Sequence, residues 1–173
     1  FMHVHREMAG RIATAAAAAG VRRFVQMSAI GADPAGPAEY AKSKAAGEAA
    51  VRAAFPAATI VRPSIVFGPG DGFFSRFAQM SMVSPFLPLI DGGKTRFQPV
   101  HVGDVAEAIA RCLEDDAHAG KTFELGGPRV ASFAELLRFT LDTVHRRRLL
   151  LPLPLPGARL QARLFGFLPT PPL

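Results

Sequence analysis

The chain is poor in cysteine, and its one cysteine, Cys112, has no second thiol with which to form an internal disulfide. This content suits a reducing compartment. No apolar run approaches the roughly 20 residues that a helix needs to cross a bilayer, and we find no signal peptide. The histidines lack metal-ligand spacing, so we assign no metal. Basic and aromatic residues do not interleave, which argues against a nucleic-acid partner.

A Gly-rich turn that would seat a pyrophosphate on a helix N-terminus is also missing. Gly68-Pro69-Gly70 does not supply one, because Pro69 removes an amide and no helix opens in the right register. Gly126-Gly127 is equally poor. The sequence therefore offers no phosphate-binding loop.

What is present is enough apolar sequence to build a core. The 173 residues are 49% hydrophobic and 20% charged, which favours a folded domain and argues against disorder. Strands alternate with helices, which indicates βαβ units and a parallel sheet. The predicted helices cover residues 2–19, 39–54, 72–83, 103–114 and 132–145, the last with a capping box of Ser132 and Glu135. The predicted strands cover residues 24–27, 58–67, 122–125 and 149–155. Residues 85–102 are predicted to form a loop, an Asp-Gly-Gly turn and a short strand.

The chain is organised around residues 23–44, where a buried strand ends at Ser28 and a helix opens with Tyr40. Lys44 follows one turn later, and residues four apart share a helix face. Tyr40 and Lys44 can therefore point at one spot, which Ser28 can reach from the strand end. A cation near a phenol favours the phenolate and lowers its pKa, which suits general acid–base work. The three residues predict a proton-transfer site, in which Ser28 holds a substrate oxygen and Lys44 also bonds a sugar hydroxyl.

The strand predicted at residues 58–67 contains Pro63, which cannot donate a ladder hydrogen bond. Regular pairing should end there. We expect the break to expose backbone groups of Ser64, Ile65 and Val66 to a ligand at the carboxyl end of the sheet.

Ser28 and the pattern Tyr40-x-x-x-Lys44 after a strand resemble the extended and atypical short-chain dehydrogenase/reductase superfamily. Three further segments are similar to its atypical subfamily of complex I alpha-subcomplex subunit 9, also called NAD-dependent epimerase/dehydratase-like. They are VRPSIVFGPGDGFFSRFAQM, GGKTRFQPVHVGDVAEAIA and KTFELGGP. The similarity covers nearly the whole chain, to about Leu160.

The resemblance implies an α/β fold: the C-terminal part of a doubly wound (Rossmann-like) parallel sheet that lacks the Gly-rich first βαβ unit. Residues 1–145 would belong to an NAD(P)-binding domain with a small substrate or cap region at about 70–130, and residues 146–173 would form a basic, Pro-rich segment. The retained strands would be neighbours in the sheet, with residues 24–27 as an unpaired edge. We accordingly expect these 173 residues alone to bind NAD or NADP weakly or not at all.

The resemblance also implies a set of cofactor-binding residues. Lys44 would contact the nicotinamide ribose hydroxyls beside Tyr40, with Met27 and Ser28 at the strand end. His101 stands where relatives often have tyrosine. The segment that lines the nicotinamide carboxamide would be Pro63, Ser64, Ile65 and Val66.

Three functions follow as alternatives. The first is NAD(P)(H) binding for structure or regulation, in a complex I accessory or assembly-type subunit. The second is an active NAD(P)-dependent oxidoreductase or sugar-nucleotide-type epimerase/dehydratase, with Tyr40, Lys44 and Ser28 as its catalytic residues. The third is membrane-surface binding through residues 146–148, three arginines that contribute to a net charge of +6. The expected partners are a dinucleotide and then complex I subunits or a membrane surface, in the cytoplasm or peripherally on the inner membrane.

Overall fold

The structure is a computed structural model that describes residues 1–153. The chain divides into two compact units. The first consists of residues 1–68 and 98–129, and the second consists, among the described residues, of residues 69–97 and 130–153. Residues 98–129, which the sequence analysis included in a cap region of about 70–130, thus fold with the first unit.

The first unit opens with a helix that begins as a π-helical stretch, His3–Met8, and continues as α1, Ala9–Ala18. Its buried side is made of small residues, because Ala9 and Ala13 are the buried positions of α1. Gly20 follows with a positive φ of 70°, which suits a glycine just beyond a helix end. The small residues allow close packing against a neighbouring helix.

A three-stranded parallel sheet forms the centre of this unit. Strand β1 is Val25–Met27, β2 is Thr59–Pro63, and a later strand, β7, is Thr122–Leu125; they lie in the order β1-β2-β7. This order confirms the predicted run of neighbouring parallel strands. Within the described residues β1 pairs only with β2, so its other edge is open as predicted.

Helix α2, Glu39–Ala54, matches its predicted bounds and packs on α1 and its π-helical start. Gly47 sets the approach of the two helices, because a Cβ at this position would overlap the carbonyl oxygen of His5. The core between the helices and the sheet consists of apolar side chains from all of them. Its buried members are Ala9, Ala13, Val51, Phe55, Ala58 and Ile60.

The strand predicted at residues 58–67 is divided in two. Strand β2 ends at Pro63, and a second strand, β3, covers Val66–Phe67. Strand β3 pairs in parallel with a different partner, β6 at Val100–His101, which leads into α4 at Val102–Glu114. The chain therefore changes partner strands at the proline.

The described residues of the second unit form two α-helices, a 3₁₀ turn at Asp91–Gly93 and two short strand pairs. Helix α3 is Phe74–Val83, and α5 is Phe133–Thr143. The predicted capping box of α5 is present, since Ser132 and Glu135 bond reciprocally. The strand pairs are β4, Phe86–Ile90, with β9, Leu149–Leu153, and β5, Arg96–Phe97, with β8, Ala131–Ser132.

Strand β4 corrects the sequence analysis, which predicted a loop over these residues. The prolines of the segment favour a loop because they remove ladder donors. In the structure Pro88 lies within β4 and Pro152 within β9, in a parallel pair of only two strands. Each strand of such a pair has a free edge toward which a proline nitrogen can face. The predicted extension of β9 to Leu155, and the rest of the predicted C-terminal segment, lie outside the described residues.

Candidate functional site

Ser28 lies where β1 ends, at the carboxyl end of the sheet. Its backbone N–H donates to the Val61 carbonyl at 2.7 Å, and Ile30 donates to the Pro63 carbonyl at 3.1 Å. These bonds hold the loop after β1 against the end of β2. The Ser28 side chain is buried, at 5% exposed, and its Oγ has no hydrogen-bond partner within residues 1–153. A buried hydroxyl without a partner costs stability, which points to a ligand at this place.

Lys44 and Ser28 line one cavity of about 270 Å³. The rest of its wall comes from the first helix, from Phe24 and from Gln26. No carboxylate of the described residues lies within salt-bridge distance of Lys44 Nζ. Burial lowers the pKa of Lys44 from its ordinary value, and the Glu48 carboxylate partly offsets this. The cavity thus offers an unpaired hydroxyl and an amino group that is free to bond a ligand.

His5 is a third polar group of this cavity, and the sequence analysis did not single it out. Its Nδ1 lies 2.9 Å from Ser43 Oγ, and that hydroxyl donates to the Tyr40 carbonyl at 2.8 Å. Because a carbonyl oxygen only accepts, the Ser43 proton is used there, and His5 Nδ1 must donate. His5 Nε2 is then left as an acceptor. Burial, followed by the charge of Lys44, lowers the pKa of His5, which favours this neutral ring.

No sequence signal marks His5, because its place depends on the packing of two helices. The close approach at Gly47 brings the start of the first helix against α2. A lone histidine four residues into a helix gives no hint of that contact.

Tyr40 lies beside the cavity and does not line it. The side chain is half-exposed, and its ring meets the rings of Phe1 and His5 edge to face at 5.9 and 5.7 Å. Lys44 Nζ lies 5.6 Å from the centre of the Tyr40 ring, which is cation–π range. The structure therefore joins Tyr40 to Lys44, as their spacing predicts, and joins Lys44 to Ser28.

Met27 is the exposed residue at the end of β1. Successive strand residues face opposite sides of a sheet, so the Met27 side chain points away from the face that holds Ser28. Its carbonyl accepts a hydrogen bond from Gln26 Nε2 at 2.9 Å.

The segment after the Pro63 break is more fully bonded than the sequence suggested. Ser64 N–H donates to the Leu125 carbonyl, and the Ile65 carbonyl accepts from Val100, both at 2.9 Å. Val66 belongs to β3. The expectation that the break leaves these groups open to a ligand is wrong for the Ser64 N–H and the Ile65 carbonyl, because the chain passes directly from one strand partner to the next.

His101 has a structural task at the start of α4. Its Nδ1 accepts from the Gly103 N–H at 3.1 Å and caps the helix, and its ring packs edge to face on Phe67 at 5.4 Å. Residues 1–153 contain no group of three or more His, Cys, Asp or Glu side chains that could hold a metal ion. In the same range, no helix is both long and apolar enough to cross a membrane.

The described polar groups fit a sugar with vicinal hydroxyls. An amine can donate to such hydroxyls, an unprotonated imidazole nitrogen can accept from them, and a free serine hydroxyl can do both. A parallel sheet with helices packed on it and polar groups beyond its strand ends is the arrangement of the doubly wound α/β class, where ligands bind at the carboxyl ends of the strands. The fold and this cavity place the chain in that class.

The sequence relationships agree with this class. The NAD dependent epimerase/dehydratase family matches residues 1–126. The chain belongs to this family.

Individual relatives are similar over much of the chain. The mitochondrial NADH dehydrogenase [ubiquinone] 1 alpha subcomplex subunit 9 of Arabidopsis thaliana is 42% identical over 83% of this chain and 36% of its own length. A ceramide reductase of Caulobacter vibrioides is 42% identical over 65% of this chain and 35% of its own length. The chain thus spans little more than a third of these relatives.

A solved structure supports the fold. An epimerase of Methanothermobacter thermautotrophicus superposes with a TM-score of 0.78 over 88% of this chain and 53% of its own, at 18% identity. At this identity the likeness shows the fold alone.

Proposed function

We propose that this chain forms the nicotinamide-side half of a dinucleotide-binding domain, within a longer protein that holds NAD(P)(H) for structure or regulation. This proposal rests on one observation. The Ser28 hydroxyl, which has no hydrogen-bond partner within residues 1–153, and the Lys44 amine, which has no salt-bridge partner there, line the same cavity. Family membership supports a nicotinamide dinucleotide as the ligand that satisfies both. NAD and NADP remain alternatives for that ligand.

Each residue has a separate task in this proposal. Lys44 donates to the ribose hydroxyls next to the nicotinamide, and Ser28 bonds a polar group that enters the cavity. His5 Nε2 is an acceptor on the same wall, and Tyr40 packs its ring beside Lys44. Residues 63–66 do not line this cavity; Pro63 holds the loop after β1, because its carbonyl accepts from the Ile30 N–H.

The partner is proposed from relatives such as the Arabidopsis thaliana protein, whose name places it in NADH dehydrogenase. An accessory or assembly-type subunit that keeps a bound nucleotide for its fold needs the ribose contact and no proton transfer. On this basis we assign the longer protein to a complex I accessory role.

The test is the amount of nucleotide that the longer protein retains. Lys44→Ala should lower the dinucleotide released on denaturation by about tenfold, because a charge-assisted hydrogen bond is worth about 1.5 kcal/mol or more. Lys42→Ala is the matched control, since Lys42 is two residues away, half-buried, and paired with Glu39 at 3.3 Å. Equal nucleotide content in the two variants would contradict the proposal.

A second candidate is an active enzyme, favoured by the 42% identity to a ceramide reductase. A nicotinamide dinucleotide supplies or accepts a hydride when bound. Under this enzyme hypothesis, Ser28 orients the substrate oxygen and the Tyr40 hydroxyl donates a proton to that oxygen or accepts one from it. Lys44 keeps a positive charge near the phenol. Tyr40→Phe should abolish turnover and leave nucleotide binding largely intact, whereas the structural role requires no turnover by either protein.

A peripheral membrane position is proposed from the second unit. Strands β4 and β9 form a ribbon whose inner face supplies Leu87 and Leu89 to a core, while its outer face is apolar and exposed. The exposed members of that outer face are Phe86, Ile90, Leu149 and Leu151. Arg146 and Arg147 immediately precede β9 and are exposed, which suits an anionic lipid surface.

Vesicle binding tests this membrane position. Replacing residues 146–148 by glutamine should abolish sedimentation with anionic vesicles at low salt, while the wild-type chain should bind. Matched neutralisation of three arginines exposed in the first unit, Arg11, Arg22 and Arg111, should leave sedimentation unchanged. Undiminished binding of the 146–148 variant would contradict the assignment.

A further inference from the structure

The carboxylate nearest to Lys44 along α2, that of Glu48, is already bound by another cation. Glu48 follows Lys44 by four residues, which places the two side chains next to each other on the helix. Arg62 of β2 instead holds both Glu48 oxygens, with Nε at 2.9 Å from Oε1 and Nη2 at 2.8 Å from Oε2. Glu48 is buried, at 8% exposed, so this pair lies largely out of water.

The strand geometry explains how Arg62 reaches Glu48. Ile60 and Arg62 are two residues apart on β2 and therefore face the same side of the sheet. Ile60 packs with Val51 in the core under α2, which fixes that side as the one facing the helix. Glu124 on the neighbouring strand β7 approaches Arg62 Nη1 at 3.6 Å and steadies the guanidinium from the other direction.

Energetics decide which cation Glu48 takes. A two-bonded guanidinium–carboxylate pair is among the strongest polar contacts in proteins. A lysine four residues before a glutamate is the weaker orientation of a helical ion pair, worth about 0.2–0.5 kcal/mol at most. Arg62 therefore binds the carboxylate, and Lys44 has no anionic partner within residues 1–153.

We propose that Arg62 and Glu48 are positioning residues for the Lys44 site: by occupying both oxygens of Glu48, Arg62 keeps the Lys44 amine free for the ligand's sugar. The idea rests on the proposed nucleotide site, but its direct test needs no nucleotide. Without Arg62, the buried Glu48 carboxylate takes Lys44 as its counterion and pulls it away from the cavity.

The groups that act on Lys44 come from three elements. Tyr40 and Glu48 lie on its own helix, and His5 faces it from the first helix. Ser28 shares its cavity from the end of β1. Only Glu48 is an anion, so a change in Lys44 titration after mutation of Arg62 reports on that carboxylate.

The chain is well suited to a direct measurement, because its lysines are few: Lys42, Lys44, Lys94 and Lys121. Reductive methylation with ¹³C-formaldehyde gives each dimethylated amine an NMR signal whose shift follows its own titration. Lys44→Arg identifies the Lys44 signal. Circular dichroism establishes that each variant keeps the wild-type secondary structure.

We expect Arg62→Met to raise the pKa of Lys44, because Glu48 then pairs with it, and Arg62→Lys to raise it less. The double variant Arg62→Met/Glu48→Gln should return Lys44 to its wild-type titration or below. Lys94 and Lys121 should titrate alike in all variants. A wild-type Lys44 titration in folded Arg62→Met would overturn the proposal. Where Arg62→Met does not fold, Glu48→Gln decides: because Arg62 already holds this carboxylate, the Lys44 pKa should fall only slightly, and a large fall, as from the loss of a direct ion pair, would overturn the proposal.

The affinity of the longer protein for the nucleotide provides a second test of the proposal. Arg62→Met should weaken dinucleotide binding about three- to tenfold, and adding Glu48→Gln should restore it; equal weakening in both variants would overturn the proposal. If the wild-type longer protein binds no dinucleotide, the proposed function fails while the lysine titration still decides the positioning role. The two failures are therefore distinguishable.

Discussion

The two units bury different kinds of side chain. The second unit is held by aromatic rings around Phe133, which meets Phe73, Phe77 and Phe97 at centroid distances of 6.1, 5.5 and 6.4 Å. Its buried hydroxyls are satisfied within their own helices, since Ser81 donates to Ala78 and Thr140 to Leu136. Among the described residues of this unit, no buried side-chain nitrogen or oxygen lacks a hydrogen-bond partner.

The first unit instead buries polar groups close to the sheet edge. Glu48 is satisfied by Arg62, and Ser43 by His5 and Tyr40. Ser28 Oγ is left without a partner in the described range. The packing of the second unit thus serves stability, whereas in the proposed function part of the first unit's polar interior serves a ligand.

The largest loss of stability should follow from removing a ring of the aromatic core of the second unit. Phe133→Ala should destabilise the chain by about 3–5 kcal/mol, because it removes a buried ring and leaves a cavity. Chemical denaturation measures the loss. Phe139→Ala is the control, since Phe139 is 61% exposed and its loss should cost about 0.5 kcal/mol. Similar losses in both variants would show that the ring cluster does not carry the stability.

A smaller loss is expected at the helix contact of the first unit. Gly47→Ala should destabilise the chain by about 1–3 kcal/mol, because the new Cβ overlaps the His5 carbonyl and pushes the helices apart. The same change should lower nucleotide retention in the longer protein. Gly72→Ala, where a Cβ meets nothing within 4 Å, should change stability by about 0.5 kcal/mol or less.

Removal of the Ser28 hydroxyl should change the free energy of unfolding in the opposite direction to removal of the partnered Ser43 hydroxyl. Ser28→Ala should stabilise the chain by about 0–1 kcal/mol, because it removes a buried polar group with no partner. Ser43→Ala should destabilise it by about 1–3 kcal/mol, because the Ser43 hydroxyl bonds both His5 and the Tyr40 carbonyl. A marked loss of stability in Ser28→Ala would mean that its hydroxyl has a partner within the protein.

The smallest expected effect is a pH dependence from His5. Its pKa is lowered in the folded chain, so the unfolded chain binds more protons between the folded pKa and the ordinary value of 6.5. Stability should therefore fall as pH drops below 6.5 and level off below the folded pKa. His5→Asn should flatten that slope in denaturation at a series of pH values, and an unchanged slope would assign it to other groups.

Much of the first unit follows from local sequence rules. Helix α2 at residues 39–54 and strand β7 at residues 122–125 have their predicted bounds. The Ser132 capping box also forms as predicted. Each of these depends on periodicity, breakers or caps within a few residues, which a sequence displays directly.

The remaining features depend on contacts between distant residues. Strand β4 forms because β9, some 60 residues later, pairs with it. Sequence rules do not predict β4, because its proline disfavours a strand. Arg62 binds Glu48, 14 residues earlier, only because α2 packs over β2 with these two side chains next to each other. The cavity role of His5 likewise needs the helix approach at Gly47. No pattern within one element could have predicted these contacts.

We propose that one bound dinucleotide contacts both the Ser28 hydroxyl and the Lys44 amine. A double-mutant cycle of dissociation constants in the longer protein tests it most directly, with wild type, Ser28→Ala, Lys44→Ala and the double variant titrated with NAD and NADP. We predict that each single change weakens binding about tenfold and that the double variant loses less than the sum, because both groups contact the same ligand. Wild-type affinity in both single variants would contradict the account.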